Sequence, residues 1–238
     1  MKRIILTTAD GCYIDVLASF LASMRYNKND YFIRLDFING TRDMENYLRR
    51  IYPGLEINSI ALDGYEKLSP ADRLLNLIWT RPRQLWKALN EDWDQVMKMD
   101  CDMLIRGSIE HIWDDLMPSV LKVFMKKERK KRPNTYFQGG VQLYGNSPDI
   151  KRYYQEFIDL VKPPFAFYDG QRALYELWLK HKHTVKLVKL DRTYNDDRYK
   201  GFSSKSLVWH VKHGQITTEP WLSEFKKYLN EANKYYDN

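Results

Sequence analysis

The stretch Val96–Trp113, VMKMDCDMLIRGSIEHIW, holds the decision about this chain. An apolar run of strand length ends in two aspartates, Asp100 and Asp102, set one residue apart. Side chains alternate along a strand, so the two carboxylates point the same way if the strand continues through them, and Cys101 points the other way into packing. Two convergent carboxylates suit a hard divalent cation such as Mg2+ or Mn2+. The same triplet also describes an ordinary acidic turn at a strand end, and the local residues do not separate the two readings. The rest of the chain has to.

Working outward, strands and helices alternate. Toward the N-terminus, RIILTT is a continuous apolar run that stops at ADG, and YIDVLASFLASMRYN repeats its apolar residues at helical spacing. YFIRLDFIN and LEINSIAL read as strands on either side of a helix in RDMENYLRRIY. SPADRLLNLIWTRPRQLWKALNEDW reads as two short helices broken at Pro82. Beyond the aspartates, SIEHIWDDL is a short helix, and SVLKVFM, YFQGGVQLYG, TVKLVKL and SLVWHV are strands. Helices follow Ser147-Pro148, an N-cap with proline at the first helical position, and begin near Asp169 and Pro220. The C-terminal helix carries Trp221, Phe225, Tyr228 and Leu229 on one face, which predicts packing on the core.

This order predicts an α/β fold with a mixed, mostly parallel sheet covered by helices on both faces. Ligands bind such sheets outside the carboxyl ends of the strands. Thr7 to Asp10 and Asp100 to Asp102 both fall at such ends and are expected to share one crevice.

Bulk properties agree with one core. The chain has 238 residues, 44% of them hydrophobic, and 29% charged. Its net charge of +7 favours anionic partners, among them nucleotides, nucleic acid and phosphorylated glycans, without selecting one. Two cysteines, Cys12 and Cys101, make no disulfide framework. No run approaches the roughly 18–20 apolar residues of a membrane span, and the expected location is the cytoplasm.

Five landmarks in this order resemble the GT-A class of glycosyltransferases, and most closely glycosyltransferase family 8. IILTTADGCYIDVLASFLASM is similar to that family's opening strand, its (T/S)-A-D-x-x-Y turn and first helix. TRPRQLWKAL with QVMKMDCDMLIRGSIEHIW resembles its basic helix and metal-binding strand. YFQGGVQLYGNSPDIKRYYQEF, YDGQRALYEL and LVWHVKHGQITTEPW resemble its F-N-A-G-V strand, D-Q-x-A-L helix start and closing H-x-x-G-x-x-K-P-W.

The resemblance implies a single GT-A domain over 1–238, with a nucleotide-binding half at 1–102 and an acceptor and donor-sugar half at 103–238. It implies a nucleotide-sugar donor, a UDP-sugar, transfer to an acceptor hydroxyl with retention, and Mn2+ or Mg2+ as cofactor. By position, Thr8, Ala9, Asp10, Tyr13 and Cys101 meet the nucleotide, and Arg81 or Arg83 reaches the diphosphate. Gln138, Asp169 and Gln171 face the donor sugar. Asp100 and Asp102 hold the metal with a histidine, which is His210 by its place on the strand or His213 by its spacing to Trp221. The family's phosphate-contacting lysine is Glu219 here, and Lys212 is the nearby replacement.

The acceptor is less defined. Six of the eight residues from Lys126 to Pro133 are Lys or Arg. They form either a solvated loop or a surface for an anionic acceptor, a phosphorylated glycan or modified DNA. A non-catalytic nucleic-acid-binding protein explains the charge but not the ordered landmarks.

Overall fold

The computed structural model describes residues 1–125, 137–160, 167–197, 203–210 and 219–237. In chain order these form β1 (Arg3–Asp10), α1 (Ile14–Tyr26), β2 (Phe32–Ile38), α2 (Arg42–Ile51), β3 (Leu55–Ile60), α3 (Pro70–Leu89), β4 (Gln95–Met99) and β5 (Met103–Ile105). Then come β6 (Val120–Met125), β7 (Phe137–Gly145), α4 (Pro148–Leu160), α5 (Phe167–His181), β8 (Lys186–Lys189), β9 (Val208–His210) and α6 (Trp221–Asp237).

Seven strands make one sheet in the order β3-β2-β1-β4-β7-β6-β8. Pairing is parallel from β3 through β2 and β1 to β4, antiparallel on both sides of β7, and parallel between β6 and β8. The expected mixed, mostly parallel sheet is therefore present. Burial on both faces explains why β1 and β4, in the middle of the sheet, are mostly apolar. Ile4 and Leu6 pack with Leu85, Ala88 and Leu89 of α3 and with Tyr153 and Phe157 of α4. Ile5 and Ala9 point the other way, into a core shared with α1, α2 and α6.

The residues at the helix starts explain where those helices begin. Ser147 Oγ accepts from Ile150 N at 3.1 Å and opens α4, and Ser69 Oγ accepts from Asp72 N at 3.2 Å and opens α3. Pro82 does not divide α3, contrary to expectation: it lies inside one helix of 20 residues. A proline removes one backbone bond and crowds the preceding turn. Buried Leu77 before it and Leu85, Ala88 and Leu89 after it anchor both halves, so packing overrides the local preference.

Two shorter elements carry the site. β5 and β9 pair antiparallel in a separate two-stranded sheet, with Met103 opposite His210. α6 closes over β9: the Trp209 and Trp221 rings meet edge to face at 4.9 Å, a contact worth about 0.5–1.5 kcal/mol beyond its buried area. Trp221 and Tyr228 are buried, with Phe225 and Leu229 packed against the same core, so the apolar face of α6 lies where its spacing predicts. Among the described residues no helix is long and apolar enough to cross a membrane.

Candidate metal and nucleotide-sugar site

Asp100 follows the last residue of β4, where its amide still bonds Gly140 O of β7 at 3.0 Å. From there the chain turns through Asp102 into β5. Pairing of β5 with β9 then places His210 beside both carboxylates, although it is remote in sequence. His210 Nε2 lies 3.5 Å from Asp102 Oδ1 and 3.7 Å from Asp100 Oδ2. One ligand atom from each of the three residues falls within 4.8 Å of the others. Two carboxylates and an imidazole are a suitable donor set for Mn2+ or Mg2+.

The imidazole is oriented from behind. Its Nδ1 sits 3.1 Å from Asn195 Oδ1. With Nδ1–H donating to Asn195, Nε2 is the nitrogen presented to the carboxylates. Burial pulls the His210 pKa down, but Asp102 and Asp100 outweigh it and raise it. A second constraint comes from Gly140: a Cβ built there would stand 2.6 Å from His210 Nδ1. The glycine pair of β7 thus makes room for the histidine.

Asp100 is held on its other side. Arg81 Nη1 reaches Asp100 Oδ1 at 3.1 Å and Lys98 Nζ reaches the same oxygen at 2.5 Å. Burial works to raise the Asp100 pKa, yet Arg81, Lys98 and His210 together hold it down to about 2. Arg81 is the arginine that points inward, and Arg83 is exposed on the far side of α3. Cys101 packs into the core, where burial pushes its thiol pKa well up, leaving only its backbone toward a ligand.

At the end of β1 the expected nucleotide residues serve the turn itself. Asp10 Oδ1 accepts from Cys12 N at 3.0 Å, and Oδ2 accepts from Tyr65 Oη at 2.8 Å. Thr8 Oγ1 donates to Gln84 Oε1 at 3.3 Å, and the Ala9 methyl is inside the core. Tyr13 is half-buried at the edge of the cluster, where burial and then Cys101, Asp10 and Asp102 raise its phenol pKa.

The glycine strand supplies Gln138, which is buried and donates from Nε2 to Asp197 Oδ2 at 3.1 Å. Among the described residues its Oε1 has no partner. Gln171 turns to the edge of β7, with its amide oriented so that nitrogen donates to Phe137 O at 2.8 Å and oxygen accepts from Gly139 N at 3.3 Å. Asp169 is the third residue of α5, and its side chain lies outside the described residues. Lys212, His213 and the basic segment from Lys126 also fall outside them. A cleft with about 530 Å³ of empty space, part of it open to solvent, runs beside the cluster between Arg81, Lys98, Gln171 and the apolar side chains of α3, α4 and α5.

Four contributors escaped the sequence reading: Lys98, Asn195, Gln84 and Tyr65. Only Lys98 carried a signal, a charged residue inside a strand apolar on both faces. Asn195 acts solely through a neighbour that the fold brings to it. If Asp100, Asp102 and His210 hold Mn2+, replacing Asn195 with Ala is expected to weaken its binding about 10–100-fold, the usual cost of removing the partner of a ligating histidine. Titration calorimetry with MnCl2 checks this.

No protein-family model and no curated protein matches the sequence. The fold, by contrast, is similar to that of solved glycosyltransferases. The galactosyltransferase LgtC in complex with donor and acceptor sugar analogues superposes with a TM-score of 0.63 at 15% identity, over 97% of this chain and 95% of that one. The glycosyltransferase GlyE of Streptococcus pneumoniae TIGR4 gives 0.62 at 16% identity, over 100% of this chain and 64% of that one. The bifunctional glycosyltransferase WbbM gives 0.60 at 13% identity, over 95% and 51%.

Proposed function

We propose that this chain is a metal-dependent glycosyltransferase that moves a sugar from a nucleotide-sugar donor, a UDP-sugar, to an acceptor hydroxyl. The observation that carries the reading is the convergence of Asp100, Asp102 and His210 at the carboxyl end of β4, which runs parallel to β1, on a fold similar to that of glycosyltransferases. In this reading residues 1–102 form the nucleotide half and 103–238 the sugar and acceptor half.

Asp100, Asp102 and His210 would hold the divalent cation, Mn2+ or Mg2+, with His213 as the alternative histidine. When bound, the cation supplies Lewis-acid stabilisation of the negative charge that grows on the departing phosphate. Arg81 and Lys98 keep Asp100 ionised and fix its Oδ1, so that Oδ2 stays turned to the cluster. Tyr13 borders the nucleoside, and Asp10 keeps its turn closed through Cys12 and Tyr65. Lys212 meets the diphosphate in place of the family's lysine.

Gln138 offers a donor-sugar hydroxyl a buried amide oxygen that has no partner among the described residues. Leaving a buried acceptor unpaired costs about 1–3 kcal/mol, and a sugar O–H removes that cost. Gln171 holds the β7 edge beside Gln138, and Asp169 orients the sugar from the start of α5. Among the described residues no carboxylate stands out as a covalent nucleophile. Attack on the face from which the phosphate leaves, with that phosphate taking the acceptor proton, needs no dedicated base and retains the anomeric configuration. The acceptor is a glycan or another hydroxyl compound, and the basic segment from Lys126 to Thr135 favours an anionic one.

A thermal shift assay tests the binding half of this reading. UDP and Mn2+ together, at about a hundredfold over their dissociation constant, stabilise by about 2.7 kcal/mol, or roughly 5–10 °C for a chain of this size. Stabilisation by neither, separately or together, would contradict it.

A further inference from the structure

Lys98 touches the candidate cation site only from behind, through Asp100. It stands in β4, whose other buried side chains include Val96, Met97 and Met99, and its own side chain is 10% exposed. Its ammonium donates to Asp100 Oδ1 and to Gly139 O. Arg81 approaches the same Oδ1. The opposite oxygen, Oδ2, faces His210. A single carboxylate therefore has two cations on one oxygen and the candidate cation site on the other.

The charge balance follows. Asp100 and Asp102 bring two negative charges, and Arg81 and Lys98 bring two positive ones, so the carboxylate pair is compensated before any ligand arrives. A divalent cation on Oδ2 would be separated from the Lys98 ammonium by one carboxylate group. Both Lys98 and Asp100 are buried, and like charges repel more strongly there than in water. An anion bound at the same time relieves that repulsion, and a diphosphate is such an anion.

We propose that Lys98 makes cation binding conditional on a diphosphate. The free protein binds a divalent ion weakly, and ion and nucleoside diphosphate enter and leave as a coupled pair. Lys98 acts through Asp100, as a positioning residue that also sets the size of the coupling. The inference rests on the reading of Asp100, Asp102 and His210 as a cation site, and adds to it that a lysine of this chain weakens that site for the ion alone.

Titration calorimetry with MnCl2 tests this on wild type, Lys98→Met and Lys98→Arg, alone and with saturating UDP or, in parallel, inorganic pyrophosphate. In wild type the anion is expected to tighten Mn2+ binding, on the order of 10–100-fold. Lys98→Met keeps the shape without the charge and leaves Arg81 on Asp100. It is expected to bind Mn2+ alone about tenfold more tightly and to show correspondingly weaker coupling. Lys98→Arg keeps the charge and the wild-type coupling.

Wild-type protein that binds Mn2+ equally well with and without either anion overturns the proposal, as does a folded Lys98→Met with unchanged affinities. Should Lys98→Met fail to fold, Lys98→Gln, which removes the charge and keeps an N–H donor, is titrated in its place, and unchanged affinities in it overturn the proposal. If Mn2+ binds none of the proteins under any condition, the cation-site reading itself fails and takes the proposal with it.

Discussion

Asp102→Asn is expected to lower metal-dependent turnover of the donor by a factor on the order of 10²–10³ while leaving the melting temperature nearly unchanged. Asp102 is half-buried, and among the described residues its closest charged contact is His210, which keeps Asn195 and Asp100 as partners when the carboxylate becomes an amide. Asp100→Asn is expected to behave differently. It removes the same ligand charge, but it also leaves buried Lys98 and half-buried Arg81 without their carboxylate. Breaking a buried ion pair from one side costs about 3–5 kcal/mol. The pair of variants therefore separates chemistry from folding: both lose activity, and only Asp100→Asn loses substantial stability. Steady-state donor hydrolysis with Mn2+ and thermal denaturation, run on both, check the two halves of the statement.

Gly140→Ala is the second large effect, and it arises without touching a ligand. The added methyl would stand 2.6 Å from His210 Nδ1, 2.7 Å from His210 Cε1 and 2.8 Å from Met103 Cε. Something must move, and all three atoms are at the ends of side chains. The β4–β7 ladder can persist while the imidazole turns away from Asn195 and the carboxylates. Mn2+ affinity is expected to fall about 10–100-fold, as for other changes that misorient a ligating histidine. Overpacking costs about 1–3 kcal/mol of stability in addition. Calorimetry with MnCl2 plus a saturating diphosphate reads the first effect, and denaturant unfolding reads the second. An unchanged affinity would mean that His210 does not ligate.

Legibility in the sequence tracked the range of the interaction. The apolar runs of β1, β2 and β4 announced a sheet covered on both faces, because burial acts on each strand locally. Caps such as Ser147 were legible for the same reason. The Asp-Cys-Asp triplet was ambiguous by itself, and order along the chain supplied its meaning. What remained hidden depends on contacts between distant segments. His210 meets Asp102 only because β5 pairs with β9. Asn195 is chosen by the place of that histidine, and Tyr65 by that of Asp10. Pro82 misled because a local rule about helices yielded to packing on both sides of it. Arg81 and Arg83 are two residues apart on one helix, and which of them faces the sheet is a matter of helix rotation that the spacing of charges left open.

In the proposed function Asp100, Asp102 and His210 hold a cation for cleavage of a nucleotide sugar. The most direct test is hydrolysis of a panel of nucleotide sugars, with and without Mn2+, by wild type and Asp102→Asn side by side. Mn2+-dependent release of the nucleoside diphosphate from at least one donor, a UDP-sugar, is expected, and its loss in the variant. Release that is equal in the two proteins, or indifferent to Mn2+, would contradict it.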